Sequence, residues 1–273
     1  MEQKELPQAD ISVNALAHTA KHLRSTLQQM YSALDTLDSC LPEENKTAEE
    51  SFSSLLQGVF RVERLADNLG CLQQLESGAQ PHLAHMDITQ TLLTMMEKAE
   101  GLLRMAEIRL DWSLPKGAFT GSMDEKLLSL VFWNLLSNAA ACAKRGTVSV
   151  RVERIRLTRL RITVTDSGDG IPEALQEDLM QRYAVAPDDA LLQTGAGFGL
   201  RLVQKTAQLF GGGLAMLTGP DGLTSVAVEL RTDLPAQTEL RSTAVRFERS
   251  LDEGLVGLAE VLPRSVYDRR DIF

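Results

Sequence analysis

N-L-L-S-N-A-A (134–140), T-D-S-G-D-G-I-P (165–172) and G-A-G-F-G-L (195–200) follow one another along Asn134 to Leu200, and their flanks decide the fold. Leu127, Leu128, Val131, Leu135 and Ala139 recur at helical spacing, so Asn134 and Asn138 share one helix face. Amide oxygens so placed can ligate a hard cation such as Mg2+ beside phosphate oxygens and water. Two capping or surface amides are the plainer alternative. The alternation in T-V-S-V-R-V (147–152) and L-R-I-T-V-T (160–165) predicts two strands, the second ending on Asp166 before Gly168 and Gly170. A carboxylate there can accept a hydrogen bond from the exocyclic amine of adenine, while the glycines let backbone pass close to the ring. An ordinary Asp-Gly turn is the alternative. Gly195, Gly197 and Gly199 lead into the amphipathic run Leu200, Leu202, Val203, Ala207 and Leu209. Glycines at a helix start expose N–H groups and the positive dipole end, which suits a polyphosphate.

Outward from this stretch, a long connector between Pro172 and Gly195 has the length of a lid. Two more strands are predicted near 214–218 and 225–230, and beyond them Leu251, Leu255, Leu258 and Leu262 suggest one short amphipathic helix. On the N-terminal side come a β-type stretch at 108–112 and a helix over 87–104 capped by Asp87. The first third differs in kind. Leu16, Ala20, Leu23, Leu27, Met30, Leu34, Leu37 and Leu41 keep a heptad seam, L-P-E-E-N-K (41–46) breaks it, and a second seam runs from Phe52 through Leu69. Leu56, Leu65, Leu72 and Leu75 widen the second stripe beyond a two-helix contact. The pattern predicts a homodimeric four-helix bundle; a monomer whose hairpin folds back on its own second domain is the competing arrangement. His18 and His22 fall at outward heptad positions, where an exposed imidazole can accept a phosphoryl group or serve simply as a polar surface residue.

A formal net charge of −9 argues against a chain built to coat nucleic acid. Three widely spaced cysteines predict neither a disulfide frame nor a zinc site and suit a reducing, cytoplasmic setting. No apolar run approaches the roughly 20 residues of a membrane span, and the N-terminus lacks a signal-peptide pattern.

Taken together, the three loops resemble those of the Bergerat-fold ATPases, the superfamily of gyrase, MutL and histidine kinases, and are most similar to bacterial sensor histidine kinases. G-L-R-L-V-Q-K-T-A-Q-L-F-G-G (199–212), T-S-V-A-V-E-L (224–230) and R-L-A-D-N-L…L-E-S-G (64–78) carry the likeness further, over roughly residues 15–232. The resemblance implies an α+β chain: an N-terminal antiparallel helical hairpin forming a dimeric bundle (1–80), a Bergerat-type α/β sandwich that binds ATP (81–234), and a C-terminal extension of unassigned role (235–273). It further implies Asn138 as an Mg2+ ligand assisted by Asn134, Asp166 as the adenine selector, and Gly195–Leu200 over the phosphates, with Thr224 helping to hold the base. His22 would accept the γ-phosphoryl group for relay to the receiver domain of a response regulator.

The chain departs from the family pattern in three places. Hydrolytic members carry a water-activating glutamate four residues before the metal-binding asparagine, and here that position is Asn134, which favours transfer over hydrolysis. The acceptor motif, roughly H-E-L-R-x-P-L, reads K-H-L-R-S-T-L (21–27), with Lys21 in the histidine position, His22 one residue on, and Thr26 for proline. The shift rotates the imidazole by about 100° around the helix. The connector has Leu179, Met180 and Tyr183 in place of the usual phenylalanines. These departures leave two other readings: a non-catalytic scaffold that binds nucleotide or a regulator, and a serine kinase of the anti-sigma type.

Overall fold

The computed structural model describes residues 13–40, 45–168, 197–219, 223–235 and 252–268. Gly170, Gly195 and the connector residues Leu179, Met180 and Tyr183 lie outside them.

Two long helices open the chain, α1 (Val13–Cys40) and α2 (Lys46–Glu76). Asn45 caps α2 by accepting from the Ala48 N–H at 3.1 Å, which stops the helix from extending back into the turn. The Tyr31 hydroxyl reaches Glu63 at 3.3 Å, and Arg24 lies against Gly70, so the helices run in opposite senses. Ala20, Leu27 and Leu34 of the first seam are buried, whereas Leu37 stays 45% exposed. On α2, Phe52, Leu56, Val59, Phe60, Ala66, Leu69 and Leu72 are all buried. Much of that wide stripe is covered from within the same chain, which corresponds to the fold-back arrangement anticipated as the alternative to a bundle.

The α/β part is built on a five-stranded sheet in the order β2-β4-β5-β7-β6, with β2 (Arg109–Ser113), β4 (Thr147–Arg156), β5 (Arg159–Asp166), β6 (Gly213–Thr218) and β7 (Thr224–Arg231). The β2–β4 pair is parallel and the other pairs are antiparallel. Val148, Val150, Val152, Leu160, Ile162 and Val164 alternate inward, each with 3% exposure or less. Burial of each such side chain is worth about 1.5–3 kcal/mol before chain entropy is subtracted. Three helices cover this face: α3 (Ile88–Met105), α4 (Glu125–Ala143) and α5 (Gly197–Leu209). Asp87 and Asp124 cap α3 and α4 through the Gln90 and Leu127 N–H groups. Asp124 also accepts from the backbone of His82 at 2.7 Å, pinning the linker to the start of α4. A small second sheet joins β1 (Ala84–Asp87) to β3 (Thr120–Met123). At 19 residues, α4 is apolar enough to cross a membrane by composition, but it is mostly buried as the central helix of this domain.

The tail does not stand apart. A short helix α6 (Glu253–Gly257) and a 3-10 turn (Arg264–Val266) lie against α2, α3 and α4 together. Tyr267 is fully buried, edge-on to Phe60 at 5.3 Å, and its hydroxyl donates to the Leu255 carbonyl at 2.9 Å. Leu258, Ala259 and Leu262 are buried beside it. Only part of the anticipated amphipathic helix forms, because the chain turns at Leu258 to lay its carbonyls on α2.

Candidate functional site

The end of β5 carries Asp166, 5% exposed, and register pairing sets it directly opposite Thr224 on β7. The sheet therefore brings together the two residues anticipated to meet the base. Burial pushes the Asp166 carboxyl above its ordinary value, opposed by the hydrogen bond that the Gly168 N–H donates at 2.9 Å. Gly168 is tightly packed: a Cβ there would stand 2.7 Å from both Asp166 Oδ1 and the Cys142 carbonyl oxygen. The backbone thus crosses close to α4 at the point where a ring would need room.

One helical turn apart on α4, Asn134 and Asn138 meet different surroundings. Asn138 is half-buried, and its Nδ2 is enclosed without a hydrogen-bond partner among the described residues. Such a group costs about 1–3 kcal/mol until something pairs with it. An acceptor such as a phosphate oxygen fits this position, because the unpaired Nδ2 is a hydrogen-bond donor. Asn134, 2% exposed, is already occupied. Its Nδ2 donates to Asn68 Oδ1 at 2.9 Å and to the Leu130 carbonyl at 2.8 Å, while its Oδ1 accepts from Asn68 Nδ2 at 3.0 Å. Arg64 approaches the same oxygen at 3.4 Å. A Cβ on Gly199 would come within 2.5 Å of that oxygen, so the start of α5 also rests on Asn134.

Glycine opens α5 at Gly197, with Phe198 half-buried and Leu200 8% exposed. Phe198 shares a small apolar cluster with Ala20, Leu23, Leu65 and Leu69 of the helix pair. Glu76 near the end of α2 forms an ion pair with Arg201. The helix bearing the two histidines is therefore seated beside the N-terminus of α5. His18 and His22 are both exposed, and their Nε2 atoms lie 3.2 Å apart. That contact requires one of the two nitrogens to carry the hydrogen. Lys21, next in sequence, is also exposed.

Asn68 and Arg64 are neighbours of Asn134 that the sequence offered only as part of R-L-A-D-N-L, with no role attached. Burial pushes the Arg64 guanidinium below its ordinary value, and the carboxylate of Glu260 in the tail opposes that shift. An asparagine inside a heptad helix was a signal for Asn68, and its partner lies 66 residues away.

Residues 123–234 match the family described as histidine kinase-, DNA gyrase B-, and HSP90-like ATPase. The chain is 30% identical over 172 residues to the sensor histidine kinase AruS of Pseudomonas aeruginosa, covering 61% of this chain and 16% of that protein. It is 25% identical over 230 residues to the sensor protein KdpD of Escherichia coli (82% and 24% covered). Against the circadian input-output histidine kinase CikA of Synechococcus elongatus the identity is 36% over 150 residues (52% and 19% covered). The chain thus spans a quarter or less of the length of each of these relatives. In fold it is similar to full-length ShkA in complex with AMPPNP, with a TM-score of 0.62 at 21% identity over 82% of this chain and 47% of that one. It is also similar to the Acinetobacter baumannii histidine kinase AdeS, with a TM-score of 0.51 at 18% identity over 79% and 98%.

Proposed function

We propose that this chain, whose residues 123–234 match the histidine kinase-, DNA gyrase B-, and HSP90-like ATPase family, acts as a sensor histidine kinase: it binds Mg·ATP and transfers the γ-phosphoryl group to His22. The observation that carries this reading is the cluster of Ala20 and Leu23 with Phe198, which sets the histidine helix beside the glycine-led start of α5. Asp166 and Thr224 would hold the adenine amine, and the N–H groups opening α5 would meet the polyphosphate. Mg2+, held by Asn138 and, once released from Asn68, by Asn134, would neutralise charge on the phosphates. An imidazole nitrogen of His22 then attacks the γ-phosphorus, its bond to the bridging oxygen breaks, and ADP leaves. No carboxylate stands at position 134 to activate water, which supports transfer rather than hydrolysis. The phosphoryl group would pass on to the aspartate of a response-regulator receiver domain. A second copy of the chain pairing through Leu37 and Leu55, each 45% exposed near the turn, would complete a bundle. Three unbridged cysteines suit a cytosolic setting.

Labelled ATP tests this directly. The unmutated protein is expected to take up acid-labile, base-stable label that His22→Gln abolishes and His18→Gln retains. Absence of label from the unmutated chain would remove the kinase reading. A second reading, a nucleotide-binding scaffold without transfer, is favoured by Lys21 in the motif's histidine position and by the engagement of Asn134 with Asn68. Under that reading ATP binds stoichiometrically and no residue is labelled.

A further inference from the structure

The C-terminal segment 252–268 reaches three elements at once, among them α2 and α4, which carry Asn68 and Asn134. Gln57 of α2, 5% exposed, donates from one amide nitrogen to the carbonyls of Ala259 at 3.1 Å and Leu262 at 2.7 Å. Arg61 donates to the same Ala259 carbonyl at 3.1 Å and faces Glu260 at 3.5 Å. On the other side, Glu253 accepts from Ser129 of α4, and Asp252 pairs with Lys98 of α3 at 2.7 Å. Gly257 lies so close to Trp133 that a Cβ there would meet its side chain at 2.7 Å. The segment therefore ties α2 to α3 and α4, and α2 is the element from which Asn68 and Arg64 hold Asn134.

We propose that residues 252–268 are a clasp that opposes nucleotide binding. Closed, it keeps α2 on α4 with the Asn134 amide spent on Asn68; open, it frees that amide for the metal-bound phosphates. The inference rests on the ATP-binding reading above and adds its regulation. Two features make the closed state releasable. Trp133 Nε1 is buried on the same side chain without a hydrogen-bond partner among the described residues, so the contact carries an uncompensated polar group there. The ion pairs to Glu260 and Asp252 are near 40–50% exposed on each side and are therefore weak and sensitive to salt. Glu260 also supplies the charge that offsets the burial of Arg64, so loss of that carboxylate loosens α2 as well as the tail. Because coupling is reciprocal, Mg·nucleotide must open the clasp by the same factor that opening the clasp tightens Mg·nucleotide.

The test measures the affinity of the full chain for a non-hydrolysable ATP analogue with Mg2+ by calorimetry. Glu260→Gln weakens the clasp from the surface and Gly257→Ala wedges it from Trp133; Glu153→Gln, an exposed carboxylate on β4, controls for net charge. Both clasp variants are expected to bind about fivefold tighter or more than the control, as when a competent fraction of about one fifth becomes fully populated. In a Trp112→Phe background, emission from Trp133 is expected to shift to the red when the analogue binds to the otherwise unmutated protein. Measurable binding with unchanged affinity in Glu260→Gln, which alters only a half-exposed side chain, overturns the clasp. Absence of binding in every variant overturns the ATP reading itself, and the clasp as its regulator with it.

Discussion

Asn68→Ala is the sharpest perturbation of the contact between the helix pair and the α/β domain. Two amide–amide hydrogen bonds at 2.9 and 3.0 Å are lost, both between side chains with no more than 5% exposure. Each is worth about 0.5–1.5 kcal/mol net. Asn134 keeps its bond to the Leu130 carbonyl, and its oxygen keeps only Arg64 at 3.4 Å. The single variant is therefore expected to lose about 2 kcal/mol by urea denaturation with linear extrapolation. Asn134→Ala strips the same two bonds and leaves both ends of the Asn68 amide buried and unpaired, which raises the expected loss to about 3 kcal/mol. The double variant removes both partners, so the losses should overlap by about 1–2 kcal/mol in a double-mutant cycle. Cavity terms peculiar to each site cancel in that difference. If the two losses add to within about 0.5 kcal/mol, the amides are not coupled and the described contact does not hold the helix pair in solution.

Three further outcomes are expected. Asp166 has a raised carboxyl value in the fold, so the folded state binds the extra proton in a window that opens at the ordinary value of 3.8, and stability falls as pH rises through it. Asp166→Asn should remove that pH slope, raise the thermal midpoint at neutral pH, and erase any preference for ATP over GTP in competition binding. Gly199→Ala pushes a methyl group to 2.5 Å from Asn134 Oδ1 and should cost about 1–3 kcal/mol, with most of that cost vanishing in an Asn134→Ala background. Cys71 is buried, with its thiol pushed up to about 11 chiefly by desolvation, whereas Cys40 and Cys142 are exposed. A disulfide-exchange reagent at pH 8 should therefore titrate two thiols at once and the third only on unfolding.

The residues that were legible in the sequence are those whose partners are periodic and near. Alternation in β4 and β5 announced the strands, and because Asp166 ends one of them its place at the sheet edge followed. Asp87 and Asp124 were readable as caps because the N–H groups that they bind lie three residues on. The heptads announced both long helices but not their cover. A stripe that wide demands a second surface, and periodicity cannot say whether that surface comes from another copy or from elsewhere in the chain. Part of that cover comes from Leu262 and Tyr267, and the period that ran through Leu251, Leu255, Leu258 and Leu262 did not say which surface it would meet. β1 and β3 escaped notice because each is only four residues long, too short for a periodic signal to stand out. Asn68 looked like any polar residue on a helix, and its meaning depends on an amide 66 positions away.

The tail contact also bears on how the chain comes to be folded. Gln57 meets carbonyls 202 and 205 residues later in the sequence, so its partners are synthesised long after both helices. At about 5–20 residues per second, α2 leaves the ribosome about 10–40 s before its cover exists. During that interval Phe60 lacks the Tyr267 ring, so the helix pair must persist with part of its apolar flank open to solvent, to chaperones or to another nascent copy. Completion of this contact therefore waits on residues 252–268, and a truncation between the sheet and that segment would leave the α2 flank uncovered.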